Sequence, residues 1–80
     1  MKIEYFPKGV CARQMLIEVE GGVVRDVEVI GGCHGNLQGI SALVEGMQVE
    51  EVIDRLEGLR CGFKSTSCPD QLAQALKKAL

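Results

Sequence analysis

Residues 13–30 of the chain read RQMLIEVEGGVVRDVEVI, and this segment carries the strongest signal for the fold. Apolar and polar side chains alternate before and after a glycine pair, Gly21-Gly22. A period of two is typical of strands that are buried on one face. The glycines predict a hairpin turn, because glycine readily adopts the positive φ that tight hairpins demand. We expect six side chains to face the core: Met15, Ile17 and Val19 in the first strand, and Val23, Val27 and Val29 in the second.

Outward from this hairpin, the sequence predicts one more strand and three helices. A short strand over residues 2–6 ends at Pro7, which cannot donate a ladder hydrogen bond. After residue 35 the apolar residues recur at helical spacing, in three stripes: Leu37, Ile40, Leu43, Val44 and Met47; Val49, Val52, Ile53 and Leu56; and Leu72, Leu76 and Ala79, in a helix that starts near Cys68 or Pro69. Strands followed by helices predict an α+β fold, a three-stranded antiparallel sheet with three helices packed on one face.

Composition excludes several classes of protein. The chain has 80 residues, enough for one small domain, and its 46% hydrophobic and 25% charged residues are typical of a globular protein. A formal net charge of −2 with few aromatic residues gives no basic stripe for nucleic acid. No apolar run is long enough to cross a bilayer, and residues 1–7 lack the apolar core of a signal peptide. We therefore expect a cytoplasmic protein that binds neither nucleic acid nor membrane.

The cysteines lie at junctions between the predicted elements: Cys11, Cys33, Cys61 and Cys68. Two of them come at or just before helix starts, where free backbone N–H groups stabilise a thiolate, and Arg60 and Lys64 flank a third. In a reducing compartment four cysteines indicate metal or thiol chemistry, and convergent thiolates suit Zn²⁺ or an iron–sulfur cluster. The alternative is that they are small buried hydrophobic side chains. The sequence has no Cys-x-x-Cys motif, which argues against a thioredoxin-like dithiol.

Other features near the cysteines have simpler interpretations. His34 follows Cys33 directly, so we expect it to be solvated or to support a ligand rather than to bind metal itself. The glycine-rich turn at residues 31–35 could cradle a phosphate, but it matches no known phosphate-binding pattern. Ser67 and Asp70 predict an approximate capping box. Gly39 interrupts a helical stripe, which predicts a close approach of another group there.

A longer motif carries a resemblance to a known family. Residues 66–73 read TSCPDQLA, preceded by GCHGN at residues 32–36, Gly39-Ile40 and Cys61-Gly62. This pattern resembles the TSCPD domain family along nearly the whole chain, so residues 1–80 are interpreted as a single TSCPD-type domain. The family occurs as short bacterial proteins and at the C-terminus of adenosylcobalamin-dependent ribonucleotide reductases. The resemblance implies a metal-binding role for the cysteines.

A weaker resemblance is to the iron–sulfur scaffold proteins IscU and NifU (N-terminal domain). Cys11, Cys33 and Cys68 fall at three matching positions, each at a junction between elements. This resemblance implies an IscU/NifU-like α+β fold in which those three residues converge. The sequence departs from the scaffold pattern after Cys11, where Ala12-Arg13 replaces a Gly-Asp pair, and Cys61 is extra.

These observations lead to a main hypothesis and to alternatives. The main one is an accessory module that binds Zn²⁺ or an iron–sulfur cluster through its four cysteines, with His34 and Asp70 as supporting or alternative ligands. Its expected partner is a ribonucleotide reductase or an iron–sulfur assembly protein, which would connect it with DNA synthesis. We expect no catalytic activity from this chain alone, since 80 residues cannot supply a radical reductase's barrel and cofactor sites. The alternatives are a thiol redox partner that uses Cys61 and Cys68, an iron–sulfur scaffold or carrier, and a plain interaction domain.

Overall fold

A three-stranded antiparallel sheet forms the first half of the protein. The structure, a computed structural model, describes residues 1–32 and 34–79, with only the backbone of His34. Within these residues the strands are β1 (Lys2–Tyr5), β2 (Ala12–Glu20) and β3 (Val23–Gly31), in the order β1-β2-β3. Both neighbouring pairs are antiparallel. The sheet therefore has the predicted strand number and direction.

The hairpin between β2 and β3 turns at the predicted glycine pair. Gly21 and Gly22 have φ values of 61° and 77°. Two consecutive positive φ angles match the twist of the flanking strands. Residues other than glycine are sterically disfavoured at these angles. The turn thereby sets the register in which Glu20 pairs with Val23.

One predicted inward residue of β3 is wrong, because a β-bulge shifts the alternation. Glu18 pairs with Asp26 and Val19 pairs with Val24, so Arg25 is an extra residue on β3. The bulge places Val24 in the core, fully buried, while Val23 is only partly buried. A simple alternation of inward and outward residues, without a bulge, predicts Val23 in the core instead of Val24.

Three helices complete the described part of the chain. They are α1 (His34–Val44), α2 (Val49–Leu56) and α3 (Cys68–Ala79). Helix α1 packs on β3, α2 and α3 pack on each other, and α3 also reaches β1. One apolar cluster joins the inner face of the sheet to all three helices, and its largest fully buried side chains are Met15, Ile17, Val24, Val52, Leu72 and Leu76. Burying each such side chain contributes about 1.5–3 kcal/mol, so this cluster holds the α+β arrangement together.

Helix α1 differs from its predicted stripe at two positions. The side chain of Leu43 is 76% exposed, although the stripe predicted it to be buried. The helix ends at Val44, and Gly46, at φ +88°, turns the chain back so that its N–H donates to the carbonyl of Val24. Met47, the last residue of the predicted stripe, therefore lies beyond the helix. The close approach predicted at Gly39 is also wrong, since a Cβ there would meet open space.

No helix in the described residues has both the length and the apolar character needed to span a bilayer.

Candidate functional site

Three cysteines from separate parts of the chain line one cavity of about 350 Å³. The cavity lies between the start of β2, the first half of α1, the α2–α3 loop and the start of α3. Its walls come from these four segments: Val10 and Cys11; Asn36, Leu37 and Ile40; Cys61 and Lys64; and Ser67, Cys68 and Pro69. A larger cavity, about 460 Å³, lies between β3 and α1, but none of its lining residues carries a thiol. The described cysteines therefore share the cavity of about 350 Å³.

The start of β2 is brought against α1 by a close backbone contact at Gly32. A Cβ at this position would lie 2.9 Å from Cδ1 of Leu37 and 3.1 Å from the backbone nitrogen of Ala12. Only a residue without a side chain fits between these two elements. The contact places Cys11, which is exposed, beside the first turns of α1.

Cys61 lies in the loop between α2 and α3, and backbone hydrogen bonds shape this loop. The N–H of Cys61 donates to the carbonyl of Thr66 over 3.2 Å, and the N–H of Lys64 donates to the carbonyl of Cys61 over 3.0 Å. Gly62 turns the chain with φ +59°. Cys61 is exposed at the cavity, while Phe63 at the tip of the loop is fully exposed to solvent.

Cys68 is the first residue of α3 and is partly buried. Ser67 caps the helix: its hydroxyl accepts the N–H of Asp70 over 3.2 Å and donates to the carbonyl of Leu59 over 2.8 Å. This confirms the serine half of the predicted capping box. The reciprocal half is absent among the bonds of the described residues, because the Asp70 carboxylate bonds elsewhere.

The Asp70 carboxylate is buried and accepts hydrogen bonds on both oxygens. The backbone N–H of Gly58 donates to Oδ1 over 2.7 Å, and the hydroxyl of Thr66 donates to Oδ2. These bonds, the Thr66 hydroxyl first and Gly58 second, hold the pKa of Asp70 below its ordinary value, although burial acts in the opposite direction. Asp70 is not among the residues that line the cavity, and it acts on the α2–α3 loop instead.

Gln71 is a buried polar residue that sequence analysis did not single out. Its side-chain oxygen accepts the Tyr5 hydroxyl and the Lys8 N–H, each over 3.1 Å, and its amide donates to Thr66 Oγ1 over 2.9 Å. A signal for it exists in the sequence, because position 71 falls on the same helical face as Leu72 and Ala75. A polar residue on a buried face indicates a hydrogen-bonded partner.

The donor set of the cavity suits a metal, but the described cysteines do not form a finished metal site. Cys11, Cys61 and Cys68 are free thiols. Among the residues that the structure describes, no three His, Cys, Asp or Glu side chains form a group that could hold a metal ion. Two predicted site residues, Cys33 and the side chain of His34, lie outside the described residues. The structure thus brings three of the four predicted cysteines to one cavity.

Fold and cavity together define a small α+β domain that presents several thiols at one end. The chain belongs to the TSCPD domain family, since the sequence model of the TSCPD domain matches residues 1–80, its whole length. This is a domain associated with ribonucleotide reductases. Neither the search of curated proteins nor that of solved structures finds a match. The likeness to iron–sulfur scaffold proteins is accordingly not confirmed.

Proposed function

We propose that this domain is a metal-binding accessory module of a ribonucleotide reductase, with Cys11, Cys33, Cys61 and Cys68 as thiolate ligands for Zn²⁺ or an iron–sulfur cluster. The observation that carries the proposal is the common cavity of Cys11, Cys61 and Cys68, in which Cys11 meets two cysteines that are about 50 residues away in the sequence. Cysteines that only fill a core have no reason to meet at a partly open cavity. Thiolates are the preferred ligands of both metals.

The surroundings of the cavity are electropositive. Cys68 lies in the first turn of α3, where the unpaired N–H groups of the helix carry a partial positive charge. Lys64 lines the same cavity and adds a full positive charge. Positive groups of this kind complement the negative charge of a metal ion that is bound by several thiolates.

The fourth ligand in this proposal is Cys33, on sequence grounds. It lies between Gly32, which packs against Ala12 and Leu37, and α1, whose Asn36 and Leu37 line the cavity. Metal binding would have to draw the thiols together. The movement would fall on the exposed tip of the Cys61 loop, residues 61–65, because hydrogen bonds hold this loop at Gly58 and Thr66.

A metal assay tests the proposal directly. Protein purified without oxygen is analysed for zinc, iron and sulfide, and its visible spectrum is recorded. We expect about one Zn²⁺, or the iron of one cluster, per chain, with the metal lost in Cys68→Ser. Ser65→Ala is the matched control, since Ser65 is an exposed residue of the same loop that does not line the cavity. A folded chain that is metal-free and binds neither added Zn²⁺ nor Co²⁺ would overturn the proposal. Iron with labile sulfide that passes to an acceptor protein would indicate a cluster carrier.

Partner and compartment follow from the same proposal. The family association points to a ribonucleotide reductase as the partner. Free thiols at an exposed site persist in the reducing cytoplasm, which is where we place the protein. Co-purification with a reductase that is lost in Cys68→Ser, but not in Ser65→Ala, would support both points.

A second candidate function is thiol exchange with a reductase by Cys61 and Cys68. It is favoured by the bond between the N–H of Cys61 and the carbonyl of Thr66, which folds the loop so that both thiols line one cavity. In this reaction the two thiols form one disulfide and pass two electrons and two protons to a partner disulfide, which becomes a dithiol. Titration against reduced and oxidised glutathione tests it. A Cys61–Cys68 disulfide that never forms, or forms without exchange with a partner disulfide, would exclude it.

A further inference from the structure

Three polar side chains at the start of α3 bind together the two loops that bear Cys11 and Cys61. We propose that Thr66, Asp70 and Gln71, here called the polar clamp, are positioning residues for the thiols of the cavity. That these residues position thiols for metal binding rests on the proposed function. That they hold the two loops together rests on the hydrogen bonds themselves. None of the three side chains lines the cavity, so each would act through the loops that it holds.

The Asp70 carboxylate fixes the loop of Cys61 at two points. One oxygen accepts the N–H of Gly58, just after α2, and the other accepts the hydroxyl of Thr66, just before α3. Cys61 lies between these two points and donates its own N–H to the carbonyl of Thr66. A single buried carboxylate therefore closes the loop that presents the Cys61 thiol.

Gln71 fixes the segment of Cys11 in a similar way. Its oxygen accepts the N–H of Lys8 and the hydroxyl of Tyr5, at the end of β1. The next residue, Gly9, has φ +74°, and a Cβ there would lie 3.3 Å from Cγ2 of Thr66. This tight contact brings the segment before Cys11 directly against the start of α3.

Thr66 connects the two halves of the clamp. Its hydroxyl donates to Asp70 and accepts the side-chain N–H of Gln71. No buried side-chain nitrogen or oxygen in the described residues lacks a partner, so the network is complete. Removing this one hydroxyl would leave Gln71 with an unpaired amide and would break the hydrogen-bonded connection between the side chains of Asp70 and Gln71.

The test compares Thr66→Val, which is isosteric but lacks the hydroxyl, with Thr66→Ser, which restores it. Val52→Ala is the control for general destabilisation, because Val52 is fully buried in the core but does not line the cavity. The first measurement is the yield of the Cys11–Cys61 link formed by a short bifunctional maleimide, mapped by mass spectrometry in chains shown to be folded. The second is the affinity for Co²⁺.

We expect Thr66→Val to lower the yield of this link about threefold or more relative to single modification, because the effective concentration of one thiol at the other falls. Thr66→Ser should recover the wild-type yield, and Val52→Ala should leave it unchanged. Equal yields in Thr66→Val and wild type, or equal losses in Thr66→Val and Val52→Ala, would overturn the clamp. If the wild-type chain is purified metal-free and binds neither Zn²⁺ nor Co²⁺, but the link yields behave as expected, the clamp stands and the metal proposal fails. If the chain binds Co²⁺ but Thr66→Val does not change the link yield, the metal proposal stands and the clamp fails.

Discussion

Helices α2 and α3 pack against each other, yet they begin in different ways. Helix α2 starts after Gln48, which makes no side-chain capping bond, and its acidic residues Glu50 and Glu51 are exposed. Helix α3 starts after a capping Ser67 and buries Asp70 and Gln71 in its first turns. A helix that needs only to cover the core can leave its charges in water. Buried polar groups at a helix start need hydrogen-bond partners, and here those partners lie in the adjoining loops. Such groups therefore indicate that the positions of these loops are constrained.

The largest expected effect tests the apolar packing that both helices share. Leu76 is fully buried between α3 and the rest of the core, and Leu76→Ala should lower the free energy of unfolding by about 3 kcal/mol. Leu43→Ala is the control, because this leucine is exposed and its loss should cost less than about 0.5 kcal/mol. Urea unfolding followed by circular dichroism measures both. Similar losses in the two variants would contradict the assignment of the core.

The next effect tests the buried carboxylate of α3 against an exposed one of α2. Asp70→Asn removes the charge that accepts the bonds of Gly58 and Thr66, and should cost on the order of 2 kcal/mol at neutral pH. Glu51→Gln should cost about 0.5 kcal/mol or less, since Glu51 forms only an exposed pair with Arg55. Urea unfolding of metal-free protein at neutral pH provides the comparison. An equal cost in both variants would remove the distinction between the two helix starts.

Acid sharpens the same comparison. The pKa of Asp70 is lowered in the folded protein, first by the Thr66 hydroxyl and then by the Gly58 N–H. Its stabilising contribution is therefore complete above the unfolded pKa of about 3.9 and is lost as the pH falls through the lower folded pKa. The difference between wild type and Asp70→Asn should narrow as the pH drops below about 4. A difference that stays constant down to strong acid would show that the charge is not responsible.

A smaller effect comes from exchanging the helix caps. Ser67→Ala should cost about 1 kcal/mol, because the N–H of Asp70 loses its acceptor. Gln48→Ser should gain about 0.5 kcal/mol, since Gln48 already has extended backbone angles and gives α2 no side-chain cap. Thermal unfolding of both variants and of the double variant checks this. A loss of stability in Gln48→Ser would show that its side chain has a role that its hydrogen bonds do not reveal.

The smallest expected effect concerns the ion pair that connects the end of α2 to α3. Lys77 Nζ lies 2.8 Å from Glu57 Oε2, but both side chains are more than 40% exposed. A double-mutant cycle with alanine should give a coupling of about 0.5 kcal/mol, weakened by salt. A coupling several times larger, or one that is insensitive to salt, would contradict the interpretation of this pair as a weak, solvent-exposed contact.

The cysteine site could be predicted from sequence only in part. Residue types at element junctions indicated thiol chemistry at Cys11, Cys61 and Cys68, and the structure brings these three to one cavity. The polar clamp was not predicted, and the sequence indicated only the neighbouring Ser67 cap. The bonds of the clamp join Tyr5, Lys8, Gly58 and Gln71, which are distant in sequence, and no local pattern shows which backbone N–H will meet which side chain.

The hairpin, the three-stranded sheet and the order of strands before helices could be predicted from the sequence alone. These features depend on local properties, namely the period of apolar residues and the φ freedom of Gly21 and Gly22. Three features are visible only in the tertiary structure. Val24 rather than Val23 is buried, and Leu43 is exposed. Asp70 and Gln71 hold two loops beside Cys68. Each of these depends on how one segment meets another that is distant in sequence, and such contacts are set by packing across the whole chain.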